Sequence, residues 1–256
     1  MPSLIEKFIN QHMFITVVLA TASILSGCTE MPESHPPGEP FDPYEETNRE
    51  IHEFNVDLDR QIVRPTGLGV TKAIPDDLED GLGNFVSNLS LPGAAVNNLI
   101  QGNMKGAWND TTRFAVNSTV GLLGVFDAAS DMGMAEATNT NLSETLYIWG
   151  VQDGAYTELP LLGPSTGRDA VGTIGSVLTN PLNYLFNTPQ SYVSIAATLL
   201  NAFSARGRNA DLVDSVLYES ADSYAQSRTI YLQNRQFRYA RDDADGYLDD
   251  YEDPYQ

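Results

Sequence analysis

Apolar residues at Ile51, Phe54, Leu58 and Ile62 recur every three to four positions, so they share one face of a helix predicted from Tyr44 to about Val63. Pro65 is expected to end it, because proline removes a backbone donor and crowds the preceding turn. A second, short segment opens at Pro75, where Asp76 and Asp77 suit the positive end of a helix. From Leu89 to Ala129 come two apolar segments interrupted by Pro92, Gly93, Gly102, Gly121 and Gly124. The second is hydrophobic on most sides, but Asn109, Arg113 and Asn117 repeat every four residues and form one polar stripe. Ala170 to Phe203 gives two more helices split by Pro181 and Pro189. A last amphipathic helix is predicted from Ala210 to Ala240, with Val213, Leu217, Tyr224 and Tyr231 on one side. Strand signals are scarce, and Ala155 to Leu162 is the best candidate, as one arm of a short hairpin. The pattern predicts an all-α domain, residues 42–240, of amphipathic helices with at most a short β-hairpin.

The ends of the chain read differently. Met13 to Leu25 is apolar, and Leu25-Ser26-Gly27-Cys28 follows it directly. This has the form of a lipoprotein signal peptide over residues 1–27, cut before Cys28, whose thiol would carry a diacylglycerol. The apolar run is shorter than the roughly 20 residues that span a bilayer. Cys28 is the single cysteine, so no disulfide framework is available. Residues 28–41, rich in Pro and acids, are expected to form a tether. Residues 241–256 are expected to be a disordered acidic tail. Net charge is -20, which argues against nucleic acid and against electrostatic docking on anionic lipid.

Two motifs invite chemistry. Gly163, Ser165 and Gly167 in LPLLGPSTGRD match the G-x-S-x-G nucleophile elbow. That elbow needs a parallel sheet beneath it and a histidine further along the chain, and the three histidines, His12, His35 and His52, all precede Ser165. The segment reads better as a turn in which Ser165 or Thr166 caps a helix whose first turn holds Asp169. Counting from Arg241, Asp243, Asp245, Gly246, Asp249 and Glu252 fall on EF-hand positions, but position 1 is Arg and no exit helix follows. A solvated acidic tail is the simpler reading. No zinc cluster, P-loop or dinucleotide fingerprint occurs, so neither cofactor nor metal is expected. The stripe Asn109, Arg113, Asn117 has two readings: interhelical hydrogen bonding within a core, or a face turned to a water-filled cavity while the other sides meet lipid or protein. The stretch Gly150 to Gly167 has the greatest backbone freedom and is a candidate moving segment.

Several motifs occur in order: DPYEETNREIHEFN with Asn48, Arg49, Phe54 and Asn55; NFVSNLSLPGAAVNNLIQG with Asn84, Phe85, Asn88, Pro92, Asn97, Gln101 and Gly102; and TRFAVNSTVGLLGVFDAA with Arg113, Phe114, Asn117 and Asp127. TLYIWG, GAYTELPLLGPSTGRD (Gly163, Pro164, Ser165, Arg168, Asp169) and NPL complete the set. On these motifs the chain resembles the VacJ/MlaA family over about Asp42 to Phe237. The resemblance implies a ring-like helical lipoprotein in the periplasmic leaflet of the outer membrane. Through its channel, misplaced phospholipids leave the outer leaflet for a soluble periplasmic carrier, and such proteins associate with trimeric porins. It makes Asn109, Arg113 and Asn117 candidates for channel or packing contacts and implies no enzymatic activity. The chain departs from the family pattern at Leu142-Ser143-Glu144-Thr145-Leu146 and at Gly154-Ala155-Tyr156. Two other classes stay open: a structural adaptor that organises porins or the envelope, and a serine esterase using Ser165.

Overall fold

The structure, a computed structural model, describes residues 40–182 and 190–248. Among them lie α1 (Glu45–Leu58), a wide π turn (Asp59–Val63), α2 (Arg64–Ala73), α3 (Asp76–Gln101), α4 (Met104–Thr119), α5 (Ala128–Asp131) and α6 (Leu142–Ile148). Strands β1 (Tyr156–Leu159) and β2 (Gly163–Thr166) follow, then α7 (Gly167–Thr179), α8 (Gln190–Arg208), α9 (Ala210–Leu217) and α10 (Ser223–Leu248). The fold is all-α with one two-stranded hairpin.

Pro65 does not end the first helix, contrary to the sequence expectation. It sits in the first turn of α2, and the helical path runs on to Ala73. The π turn is the physical reason: the Arg64 N–H reaches back five residues to the Asp59 carbonyl, and this widened turn makes room where the proline ring would crowd a carbonyl. The segment at Pro75 is likewise not short. It opens α3, a helix of 26 residues that carries Pro92 inside it. Pro92 withholds the N–H that would serve the Asn88 carbonyl, and beside that gap Asn180 Nδ2 donates to the Leu89 carbonyl at 2.9 Å. Gly102, at φ +81, ends α3 in the left-handed cap that glycine adopts without steric cost.

The predicted helix from Ala210 to Ala240 is two helices. Asp222 starts the second by accepting from the Ala225 N–H at 3.0 Å, an N-cap in the middle of the apolar periodicity. Helix α10 then continues past Arg241 to Leu248, so the first eight positions of the EF-hand frame are helical.

The hairpin pairs Tyr156 with Thr166 and Leu159 with Gly163. Its other edge is served by side chains of α1. Asn48 Nδ2 donates to the Tyr156 carbonyl (3.1 Å) and Asn48 Oδ1 accepts from the Glu158 N–H (2.9 Å). Asn55 repeats the pattern one step on, donating to the Leu159 carbonyl (2.9 Å) and accepting from the Leu161 N–H (2.8 Å). An open strand edge is thereby satisfied by a helix.

Burial is inverted relative to a water-soluble domain. Polar and charged residues outnumber apolar ones among the buried set, and the apolar members are mostly Ala and Tyr. Leu122, Leu123, Phe126, Trp108, Ile195 and Phe237 are each more than half exposed. Small residues let backbones close in: α2 packs on α8 through Gly67 and Gly207, where a Cβ on Gly67 would lie 2.7 Å from the Phe203 carbonyl oxygen.

Candidate functional site

Helix α3 carries recesses on more than one face. Toward α8, Leu78, Gly81, Leu82 and Phe85 join Val125, Phe126 and Ala197 around an apolar recess of about 510 Å³. On another face, Glu79, Asp80, Gly83 and Asn84 join Asn201 and Arg208 around a polar recess of about 530 Å³. Asn84 also lines a third, narrow recess of about 40 Å³, with Asn88, Arg113, Asn117, Asp127 and Asn139. One helix thus places apolar and polar hollows side by side, which is possible because Gly81 and Gly83 leave room along it.

The stripe on α4 closes the narrow recess and also packs. Arg113 donates to both Asp127 oxygens at 2.8 Å, to Ser130 Oγ at 2.9 Å and to the Ala135 carbonyl at 2.7 Å. Asn117 donates to Asp127 at 2.9 Å and accepts from the Ala129 N–H at 2.8 Å. Asn109 stands apart, donating to the Glu136 carbonyl at 2.8 Å. Burial pushes the Asp127 carboxyl up; hydrogen bonds from Ser130 and Asn117 and the charge of Arg113 outweigh it and hold the group below its ordinary range. The two readings of the stripe therefore meet in one place, since Arg113 and Asn117 are hydrogen-bonded within the fold and line a hollow.

The other motif residues divide by place. Asn84 donates to the Val125 carbonyl and Asn88 to Ser118 Oγ, which fixes the 117–126 turn against α3. Phe85 lines the apolar recess. Asn97 accepts from Thr145, and Gln101 donates to Thr140 and Thr145, which ties α3 to the start of α6. Arg49 clasps Asp222, while Phe54 is exposed and Phe114 half-buried. Arg168 donates to the Val151 carbonyl at 2.7 Å and contacts Asp153 and Tyr239. Asp169 gathers Ser143, Tyr231 and Arg235. Residues 150–167 are thus fastened at several backbone points by Asn48, Asn55 and Arg168. Cys28 lies outside the described residues.

Ser165 is buried in β2 and donates to the Thr166 carbonyl, while Thr166 caps α7 by accepting from the Asp169 N–H. His52 does not serve it. Its Nδ1 lies 3.2 Å from Glu158 Oε1 and its Nε2 lies 3.0 Å from Ser223 Oγ. These distances are those of a serine–histidine–carboxylate row, yet Glu158 also accepts from the Tyr156 hydroxyl at 2.6 Å and belongs to the edge that α1 holds. Sequence reasoning missed Glu79 and Arg208. An acid in the first turn of a helix reads as a dipole complement, and its partner is 129 residues away.

A polar and an apolar hollow set side by side on one helix, with large apolar side chains exposed around them, give a class of helical protein whose surfaces match both ends of an amphipathic molecule. The sequence model of the family described as MlaA lipoprotein matches residues 40–238. The Haemophilus influenzae protein named intermembrane phospholipid transport system lipoprotein MlaA is 30% identical over 88% of this chain and 89% of its own. The Escherichia coli protein of the same name is 31% identical over 77% of each chain. An uncharacterized protein of Rickettsia bellii is 31% identical over 84% of this chain and 80% of its own. The solved structure described in "Structural basis for maintenance of bacterial outer membrane lipid asymmetry" superposes with a TM-score of 0.64 at 28% identity, covering 77% of this chain and 98% of that one. The chain belongs to the MlaA lipoprotein family.

Proposed function

We propose that this protein removes phospholipids that have strayed into the outer leaflet of the outer membrane and passes them to a soluble periplasmic carrier. The observation that carries the proposal is the inverted burial: a protein that exposes large apolar side chains, buries polar ones and sets a polar hollow beside an apolar one suits a lipid environment and an amphipathic molecule at once. The names of the Haemophilus and Escherichia relatives, which specify intermembrane phospholipid transport, support the same reading. No helix among the described residues is long and apolar enough to cross a membrane. Helices of this kind lie in one leaflet, and lipid on Cys28 would add an anchor in the periplasmic leaflet. Arg113 and Asn117 are assigned to the polar lining, and Asn109 to packing. A hydrogen-bonded lining matters because moving an unpaired polar headgroup through apolar surroundings costs several kcal/mol.

Deleting the gene in its host is expected to expose phospholipid at the cell surface and to sensitise cells to detergent. Normal asymmetry with altered porin assembly would instead favour an adaptor that organises trimeric porins. The proposed role is not enzymatic, and a fluorophosphonate probe is expected to label neither Ser165 nor Ser223. Labelling of Ser223 that is lost in His52→Ala would make the His52 row a working nucleophile.

A further inference from the structure

Resting on the transport reading, the inference concerns which headgroup the polar recess accepts. The charged groups lining that recess are Glu79, Asp80 and Arg208, an excess of one negative charge. Arg208 contacts one Glu79 oxygen and donates to Asp80 at 2.7 Å, so the cation is engaged. The other Glu79 oxygen, Oε1, is buried without a partner, on a residue only 3% exposed. On the opposite face of α3, about 13.5 Å further along its axis, the narrow recess holds a second unpartnered acceptor, Asn88 Oδ1, out of reach of anything bound at Glu79. The one unpartnered donor there is Arg113 Nε, on a guanidinium whose other nitrogens are bound to Asp127, Ser130 and Ala135. Buried acceptors left unpaired are costly, and a ligand that donates to them recovers that cost.

We infer that the polar recess selects phospholipids whose headgroup carries a primary ammonium, such as phosphatidylethanolamine, over anionic headgroups, with Glu79 Oε1 as the receiving atom. An ammonium has three donors and a positive charge, and so meets the Glu79 acceptor and the local excess. A glycerol headgroup brings hydroxyls and leaves the phosphate charge uncompensated, so it faces the Glu79 and Asp80 carboxylates at a disadvantage. The recess of about 530 Å³ has room for the headgroup.

The test uses full-length lipidated protein in detergent, equilibrated with equal amounts of phosphatidylethanolamine and phosphatidylglycerol, followed by mass spectrometry of the retained lipid. The native chain is expected to hold phosphatidylethanolamine at about two- to fivefold over phosphatidylglycerol, the selectivity that one partly screened ion pair supplies. Glu79→Gln is expected to bring the ratio near one, and Arg208→Gln to raise it. Asp80→Asn, at the exposed rim, tests the same field if Glu79→Gln misfolds, and is expected to lower the ratio in part. Equal retention of both lipids by the native chain, or a ratio indifferent to Glu79→Gln and Asp80→Asn, would overturn the inference and leave transport standing. A native chain that retains no lipid at all would overturn both.

Discussion

Asn48 and Asn55 stand two helical turns apart, a rise of about 10.5 Å along α1. The backbone groups they serve are offset by three strand residues, about 10 Å. Two carboxamides at that spacing therefore act as two peptide units of a missing neighbouring strand, each giving one donor and one acceptor. Asn48→Ala would leave the Glu158 N–H and the Tyr156 carbonyl unpaired in a buried position. It is expected to lower stability by about 1–3 kcal/mol in chemical denaturation. An unchanged midpoint would mean that water or a neighbour takes over both bonds. Arg49 on the same helix sets a pH-dependent contact. Hydrogen bonds from Arg49 and from the Ala225 N–H hold the Asp222 carboxyl down at about 2, from an ordinary value near 3.8. Because the folded value is the lower one, the contribution is present above pH about 4 and fades as pH falls toward 2. The pair is exposed, so it is worth at most about 1 kcal/mol. Asp222→Asn is expected to be less stable than the native chain at pH 6 and equal to it below pH 2.

At the scale of elements, what the sequence made legible was what local periodicity encodes. Each of the long helices had its apolar spacing, Gly102 separates helices where read, α7 ends just before Pro181, and Thr166 caps α7 as its type and position require. Proline misled twice, because its local penalty was offset by partners no local window contains. The π turn at Asp59 admits Pro65, and its buried carboxylate is held by Arg206 at 2.8 Å and by the Tyr218 hydroxyl at 2.6 Å, both over 140 residues further along the chain. Asn180 plays the corresponding part beside Pro92. The split between α9 and α10 was hidden for the opposite reason, since apolar spacing continues across Asp222 while a cap interrupts the backbone. Gly67 and Gly207 likewise carry no signal until α2 and α8 meet. Gly67→Ala forces a methyl group against the Phe203 carbonyl and the Gly207 backbone, and neither is a flexible side chain that can swing aside. A loss of about 1–3 kcal/mol is expected, as for other overpacked contacts. Gly69→Ala, where the added carbon meets nothing within 4 Å, serves as the control and is expected to keep or gain stability.

For the whole molecule the central fact is where apolar area goes. Composition gave little warning, because 42% hydrophobic residues is ordinary for a globular chain. The polar stripe of Arg113 and Asn117 was legible as polar spacing on an apolar helix, whereas the acidic recess needed Glu79 and Arg208 to be brought together by the fold. The inverted surface makes a prediction that the two tryptophans can test. Trp108 on α4 and Trp149 after α6 are 72% and 59% exposed, although indole is costly to leave in water and settles where an apolar ring can be buried with its N–H near polar groups. If these faces sit in a leaflet, transferring the full-length protein from detergent into vesicles with brominated acyl chains should quench the emission of both residues. Trp108→Phe and Trp149→Phe would report each face separately, because the chain has only these 2 tryptophans. Quenching of one variant and not the other would turn the unquenched face toward water or a partner protein. Bromines near the tail ends should quench less than bromines near the headgroup, since helices that do not span the bilayer hold their side chains within about 5–10 Å of the headgroup boundary.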